Sequence, residues 1–162
     1  MRRLVSAVLL ALFATPAFAI DWAFEDASIP IAYIDSGNAQ FQFACRGGDL
    51  AMGYWVRLPS SEVAKASSLH LAILPDPSAN ANIATASGTS FAQDMPLIHA
   101  DGTSMIVRGP VARTWARIAQ KAKHTLRIAY VRKSAKLEVF DSNDFGASGS
   151  SAAIKAVLDR CG

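Results

Sequence analysis

The sequence predicts an α+β domain: a β-rich, sandwich-like antiparallel fold with a central and a C-terminal helix. Three observations predict it. Several stretches between residues 41 and 139 alternate apolar and polar residues with period two, as half-buried strands do. Two later segments repeat instead with helical spacing. The 162 residues are 51% hydrophobic and 18% charged, which suits one packed core and excludes a disordered or fibrous chain.

Residues 1–19 are read as an export signal, cleaved before the domain of residues 20–162 folds. Arg2 and Arg3 form a basic start, Leu4 to Ala14 an uncharged apolar run, and Ala17-Phe18-Ala19 the small-x-small cleavage pattern. The run has 11 residues, whereas a helix needs about 20 to cross a bilayer. Beyond it no apolar run reaches spanning length, so a periplasmic or secreted protein without a transmembrane segment is expected. Two of the 16 basic residues leave with the signal, while all 13 acidic residues remain, so the mature chain carries only +1.

The strands follow in order. Phe41, Phe43 and Cys45 share one face of the first. Leu50, Met52, Tyr54, Val56 and Leu58 share one face of the second, and Gly47-Gly48-Asp49 between them reads as a hairpin turn. Ser60 to Ser67 reads as a short helical turn. Leu69, Leu71 and Ile73 mark a third strand, stopped by Pro75-Asp76-Pro77, and place His70 toward solvent. Residues 78–90, rich in Ala, Asn, Ser and Thr, read as a mobile loop or edge hairpin. A hairpin is expected around Asp101-Gly102, with Leu97 and Ile98 before it and Met105, Ile106 and Val107 after it.

The period then changes. Val111, Trp115, Ile118, Ala119 and Ala122 form one helical stripe, predicting a helix over 110–122 with Gly109 as its cap. Leu126, Ile128 and Tyr130 make another strand, and Leu137 with Val139 one more. Asp141 to Ser148 reads as a polar loop. The last helix is expected over 150–160, capped by Ser150, with Ile154, Val157, Leu158 and Cys161 on its apolar face.

The two cysteines are each placed by their own neighbours. Cys45 shares the inward face of a strand with Phe43, and Cys161 the inward face of the last helix with Leu158. In an exported chain two cysteines pair, so a Cys45–Cys161 disulfide is expected.

The local signs of catalysis are missing. His70, His99 and His124 lie far apart in sequence and in no metal-ligand frame. There is no Gly-x-Ser-x-Gly elbow and no phosphate-binding glycine loop. No catalytic residue, metal or cofactor is therefore expected. A hydrolase assembled only in space stays as an alternative.

One feature exceeds background. Residues 108–136 carry nine basic residues and no acid, and the rest of the mature chain sums to −8. Arg113, Arg117 and Lys121 fall on one helical stripe, with Arg108 before and Arg127 after them. Such a run is either a solvated helix face or a surface for an acidic envelope protein or another anionic envelope component. Nucleic acid is disfavoured, because it is not a usual periplasmic ligand and the loops lack stacking aromatics near the cations. Trp55 and Arg57 share the other face of their strand, where Trp55 is expected to be core.

The strand Phe41-Gln42-Phe43-Ala44-Cys45, the passage Met105-Ile106-Val107-Arg108-Gly109 and the closing segment from Gly149 to Gly162 resemble small secreted proteobacterial proteins of the type VI secretion-associated periplasmic family. More distantly, the layout is similar to the invasion-associated locus B family. The resemblance implies a non-enzymatic β-rich domain and transfers no catalytic residue. The reading is thus a periplasmic binding protein acting through a basic helix–strand surface. The alternative is an inhibitor or immunity-type protein of an envelope hydrolase, with residues 80–90 as its plug.

Overall fold

The structure, a computed structural model, describes residues 21–133 and 137–161. The expected signal segment, 1–19, and Lys136 of the basic run lie outside the described residues. Twelve elements follow along the described chain: β1 (Ala23–Glu25), β2 (Ile31–Asp35), β3 (Ala39–Arg46), β4 (Asp49–Val56), α1 (Ser61–Lys65), β5 (Ser68–Pro75), β6 (Ser90–Pro96), β7 (Thr103–Arg108), α2 (Gly109–Lys121), β8 (Thr125–Lys133), β9 (Leu137–Gly146) and α3 (Ser150–Arg160). They form the α+β, β-rich fold. One antiparallel sheet has the order β1-β2-β3-β4-β7, the other β6-β5-β8-β9. No helix of the described residues is long and apolar enough to cross a membrane.

The β3–β4 hairpin forms where expected, with Arg46 opposite Asp49. Gly47 and Gly48 both have positive φ, +60° and +83°. A two-residue turn that matches strand twist needs this conformation twice. Phe41, Phe43 and Cys45 point inward together with Leu50, Met52 and Tyr54. The inner faces of the two sheets meet through aromatic rings, Tyr54 on Tyr130 at 5.0 Å and Phe41 on Phe145 at 5.9 Å between centroids. The buried Tyr130 hydroxyl donates to the Thr103 carbonyl at 3.0 Å, tying the sheets by a polar bond as well.

Helix α2 packs on β4, β5 and β7, and α3 on β1, β2 and β3, with the helices against each other. The buried side of α2 is Ala112, Trp115, Ala116 and Ala119. The expected stripe is therefore rotated: Val111 is exposed and Ile118 only half-buried. Small alanines let the helix sit close to the sheet and to α3. Gly149, not Ser150, precedes the first turn of α3, with φ +78°. Ser150 is buried because its hydroxyl donates to the Ala119 carbonyl at 2.9 Å, joining the two helices.

Cys45 and Cys161 form the disulfide, with Cα atoms 5.5 Å apart across a sequence separation of 116. The bond closes the end of α3 onto the end of β3. Arg113 reinforces the same corner by donating to the carbonyls of Gly48 and Cys161.

Several sequence expectations are corrected. The loop expected at 141–148 is mostly strand, since β9 runs to Gly146 alongside β8. Its run of polar residues looks like a turn but is satisfied by neighbours. Asp141 accepts from Ser60 N–H, Asn143 donates to the Tyr54 hydroxyl, Asp144 pairs with Arg127, and Phe145 fills the core. The hairpin expected around Asp101-Gly102 shrinks to one bridge between Ile98 and Ser104, because β6 belongs to the other sheet. The segment expected to be mobile is packed: Ile83 and Ala84 are buried, and Ile83 covers Ala72, Leu74, Ala129 and Val131 on the outer face of the four-stranded sheet. His70 is buried on that face rather than solvated, and its Nδ1 accepts from the Asp94 N–H at 2.9 Å.

Asp76 fixes the entry to β8. At φ +45° its carboxylate accepts from the N–H groups of Lys123, His124 and Thr125. Desolvation pushes its pKa up, but the three backbone bonds together outweigh it, so the group lies below its ordinary 3.8. A carboxyl lowered on folding stabilises the fold above the unfolded value and loses that contribution as pH falls through the folded one. Asp76→Ala is expected to cost about 1 kcal/mol at pH 7, below the usual scale of hydrogen bonds to a charged group because water screens this exposed carboxylate. Urea midpoints at pH 7 and pH 3 check it: the gap between wild type and variant should narrow at pH 3.

Candidate functional site

The two sheets differ on their outer faces. The four-stranded sheet is covered by the 78–90 segment. Among the described residues the five-stranded sheet has no such cover. Because side chains alternate along strands, β3 turns Gln40, Gln42 and Ala44 outward, β4 turns Ala51, Gly53 and Trp55, and β7 turns Ser104, Ile106 and Arg108. The register sets them in rows: Gln40, Trp55 and Ser104; Gln42, Gly53 and Ile106; Ala44, Ala51 and Arg108.

Two adjoining hollows, of about 280 and 180 Å³, run along this face and share Gln42, Gly53 and Ile106. The first is bordered by Trp55, the second by Ile29, Arg46 and Arg108. The floor is low because Gly53 has no side chain. A Cβ there would stand 3.0 Å from the Gln42 amide nitrogen, so the glycine makes room for the Gln42 side chain.

Trp55 is half-exposed on this face, which corrects its expected place in the core. Its ring is held from three sides. The Arg57 guanidinium lies 4.4 Å from the ring centroid, within cation–π range. The indole N–H donates to the Asp101 carbonyl at 2.8 Å. Gly102 passes so close that a Cβ there would meet the Val56 carbonyl at 2.3 Å and the indole nitrogen at 2.9 Å. Arg57 is fixed in turn by a two-point pair with Asp35, at 2.9 and 2.6 Å, and the hydrogen bond from this guanidinium holds the Asp35 carboxyl below its ordinary range. The aromatic is thus pre-positioned at one end of the groove.

The other end is basic. Arg46 and Arg108 are exposed, and neither forms an ion pair among the described residues. No carboxylate lines either hollow. The structure distributes the other expected basic residues unevenly. Arg113 reaches the β3–β4 turn at Gly48, so the start of α2 adjoins this basic end. Arg117 and Lys121 are exposed on α2. Arg127 stands on β8 in the other sheet, where it pairs with Asp144 and donates to Ala81. The linear run is therefore not one surface. Arg46, Gln40, Gln42 and Ile106 were missed in the sequence, although their outward register in β3 and β7 follows from the same alternation that identifies the core.

A larger hollow of about 660 Å³ lies between Asp21, Ser36, Lys123, His124, Asp144 and Ser148. Its groups have other work: the Ser36 hydroxyl donates to Ala39 and Asp144 holds Arg127. His99, elsewhere, donates from Nε2 to the Ala66 carbonyl at 2.8 Å, which leaves its Nδ1 to accept from the Thr103 hydroxyl at 3.2 Å. Comparison of the chain with protein-family models, curated proteins and solved structures gives no match.

Proposed function

We propose that the protein is a non-enzymatic binding protein of the cell envelope. It takes an acidic envelope component on the open face of the five-stranded sheet, between Trp55 and the cations Arg46 and Arg108. The observation that carries this reading is the contrast between the two outer faces. One is covered by its own chain, while the other presents a fixed tryptophan, exposed isoleucines and two arginines that, among the described residues, form no ion pair and have no carboxylate beside them in the hollows. Aromatic and arginine side chains are the types that dominate binding energy at interfaces. Arg113 at the start of α2 extends the positive end, which keeps the basic helix next to the recognition surface rather than at its centre. The disulfide is compatible with an oxidising compartment outside the cytoplasm.

The test is comparative capture from an envelope extract at low and high salt. The baits are the oxidised protein, an Arg46→Glu/Arg108→Glu variant, a Trp55→Ala variant and an Arg117→Glu/Lys121→Glu variant. A partner held by the wild type should be lost from the first two, retained by the third, and released by salt. Capture unaffected by the first two variants overturns the reading.

A further inference from the structure

The edge of the five-stranded sheet suggests what occupies this face, and the inference rests on the binding reading above. β7 is the last strand of that sheet and pairs on one side with β4 alone. On its other side Ser104 exchanges both backbone bonds with Ile98, N–H to carbonyl at 2.9 Å and carbonyl from N–H at 2.8 Å. In an antiparallel ladder, the peptide groups of alternate residues point to the same side. Those of Ile106 therefore point where those of Ser104 do, away from β4. The chain supplies Ile98 as a partner for Ser104 and no backbone partner for Ile106 on that side among the described residues. The pairing is started and left unfinished.

Such an edge is a template for an added strand. The side chains beside it set the chemistry of that strand. Ile106 and Arg108 stand on the outer face of β7, one apolar and 40% exposed, the other an exposed cation with no ion pair among the described residues. Arg46 lies at the same end of the groove, and no carboxylate lines it. Residues 105–108 span about 13 Å at strand rise, the length of a four-residue segment.

We propose that the ligand is an acidic peptide segment in extended conformation, added to the free edge of β7 as a sixth strand. Its backbone takes the N–H and carbonyl of Ile106. An apolar side chain lies beside Ile106 and a carboxylate reaches Arg108. A glycan would use the Trp55 end and leave the edge unpaired, so the two occupants are separable by experiment.

The probe is a fluorescent octapeptide of sequence Val-Ser-Glu-Ser-Val-Ser-Glu-Ser, which carries valine and glutamate two residues apart on one face as Ile106 and Arg108 stand on β7, titrated by anisotropy against the oxidised mature protein. Comparison peptides carry lysine for glutamate, or N-methyl groups on one or the other set of alternate residues. The acidic peptide should bind at least ten-fold more tightly than the lysine peptide, and Arg108→Glu should remove that preference. N-methylation of one alternate set should weaken binding at least ten-fold and that of the other set should not. Amide exchange at Ile106 should slow on saturation.

Equal tolerance of both N-methylated peptides overturns strand addition. If the Arg46→Glu/Arg108→Glu variant still weakens binding in that case, the open-face reading survives without it. An Ile106 amide already protected in a dimer without peptide also overturns the proposal, because a second copy then owns the edge. Failure of the acidic peptide to bind at millimolar concentration overturns it as well, while the capture experiment decides the broader reading separately.

Discussion

Replacing Cys45 and Cys161 together by serine is expected to lower folding stability by about 5 kcal/mol, from the loop-closure entropy of a bridge spanning this many residues. Total stabilities of single domains are about 5–15 kcal/mol, so this loss alone brings the fold near its threshold. The position of the bridge adds to the expectation. It fastens the end of α3, and α3 in turn covers the inner sides of β1, β2 and β3. Arg113 bonds to carbonyls on both sides of the bridge, at Gly48 and Cys161, and those bonds are lost if the helix end drifts. Urea unfolding of the oxidised protein, the reduced protein and the double-serine variant measures the effect. Reduced protein and variant should share one lower midpoint, and unchanged midpoints would mean that packing alone holds α3.

Trp115→Ala is expected to cost about 4 kcal/mol, the range found for deleting a large buried aromatic. Trp115 is fully buried in the main core, and its indole N–H donates to the Ser90 hydroxyl at 3.1 Å. It therefore joins α2 to the start of β6 as well as filling volume. The other buried residues of its helix, Ala112, Ala116 and Ala119, carry only methyl groups on the same backbone and cannot reach in to fill the gap. Trp115→Phe should cost less, since it keeps most of the apolar volume and loses the hydrogen bond. Urea midpoints of the three proteins check the order, and an alanine variant as stable as the phenylalanine variant would contradict it.

The parts of the fold legible in the sequence are those with contrast between two faces. In β3 and β4 large apolar residues alternate with Gln, Ala and Gly, and the hairpin follows. Cys45 and Cys161 each carried the mark of its own buried face, so their meeting was legible although 116 residues separate them. β2 lacks such contrast: Ile31 and Tyr33 face outward and Ala32 and Ile34 inward, all apolar. β6 buries only Ala92 fully and is held by pairing with β5. In β9 the four polar residues 141–144 look like a turn until Ser60, Tyr54 and Arg127 are seen beside them. The candidate site was legible only in part. Arg108 was marked by charge, but a linear run of cations cannot tell that Arg127 belongs to the other sheet. Trp55 was misplaced because alternation shows that a strand has two faces, not which of them the chain will cover.

The interleaving of the two sheets constrains how this chain reaches its native state. It lays down β1 to β4, departs to make β5 and β6, returns for β7, and departs again for β8 and β9. The β1–β4 meander closes through short connections and can zip early, since short loops cost little entropy. Its apolar side then meets β5, whose Leu71 and Ile73 join the same core, and is closed only when β8, β9, α2 and α3 arrive from later in the chain. The five-stranded sheet waits for β7 and the four-stranded sheet for β8 and β9, so a chain severed between 97 and 102 divides both sheets between its two fragments. Assembly by such distant pairings belongs to the slow class of small-domain folding, on the order of milliseconds to seconds. During that interval the half-built meander is the surface a chaperone would have to shield.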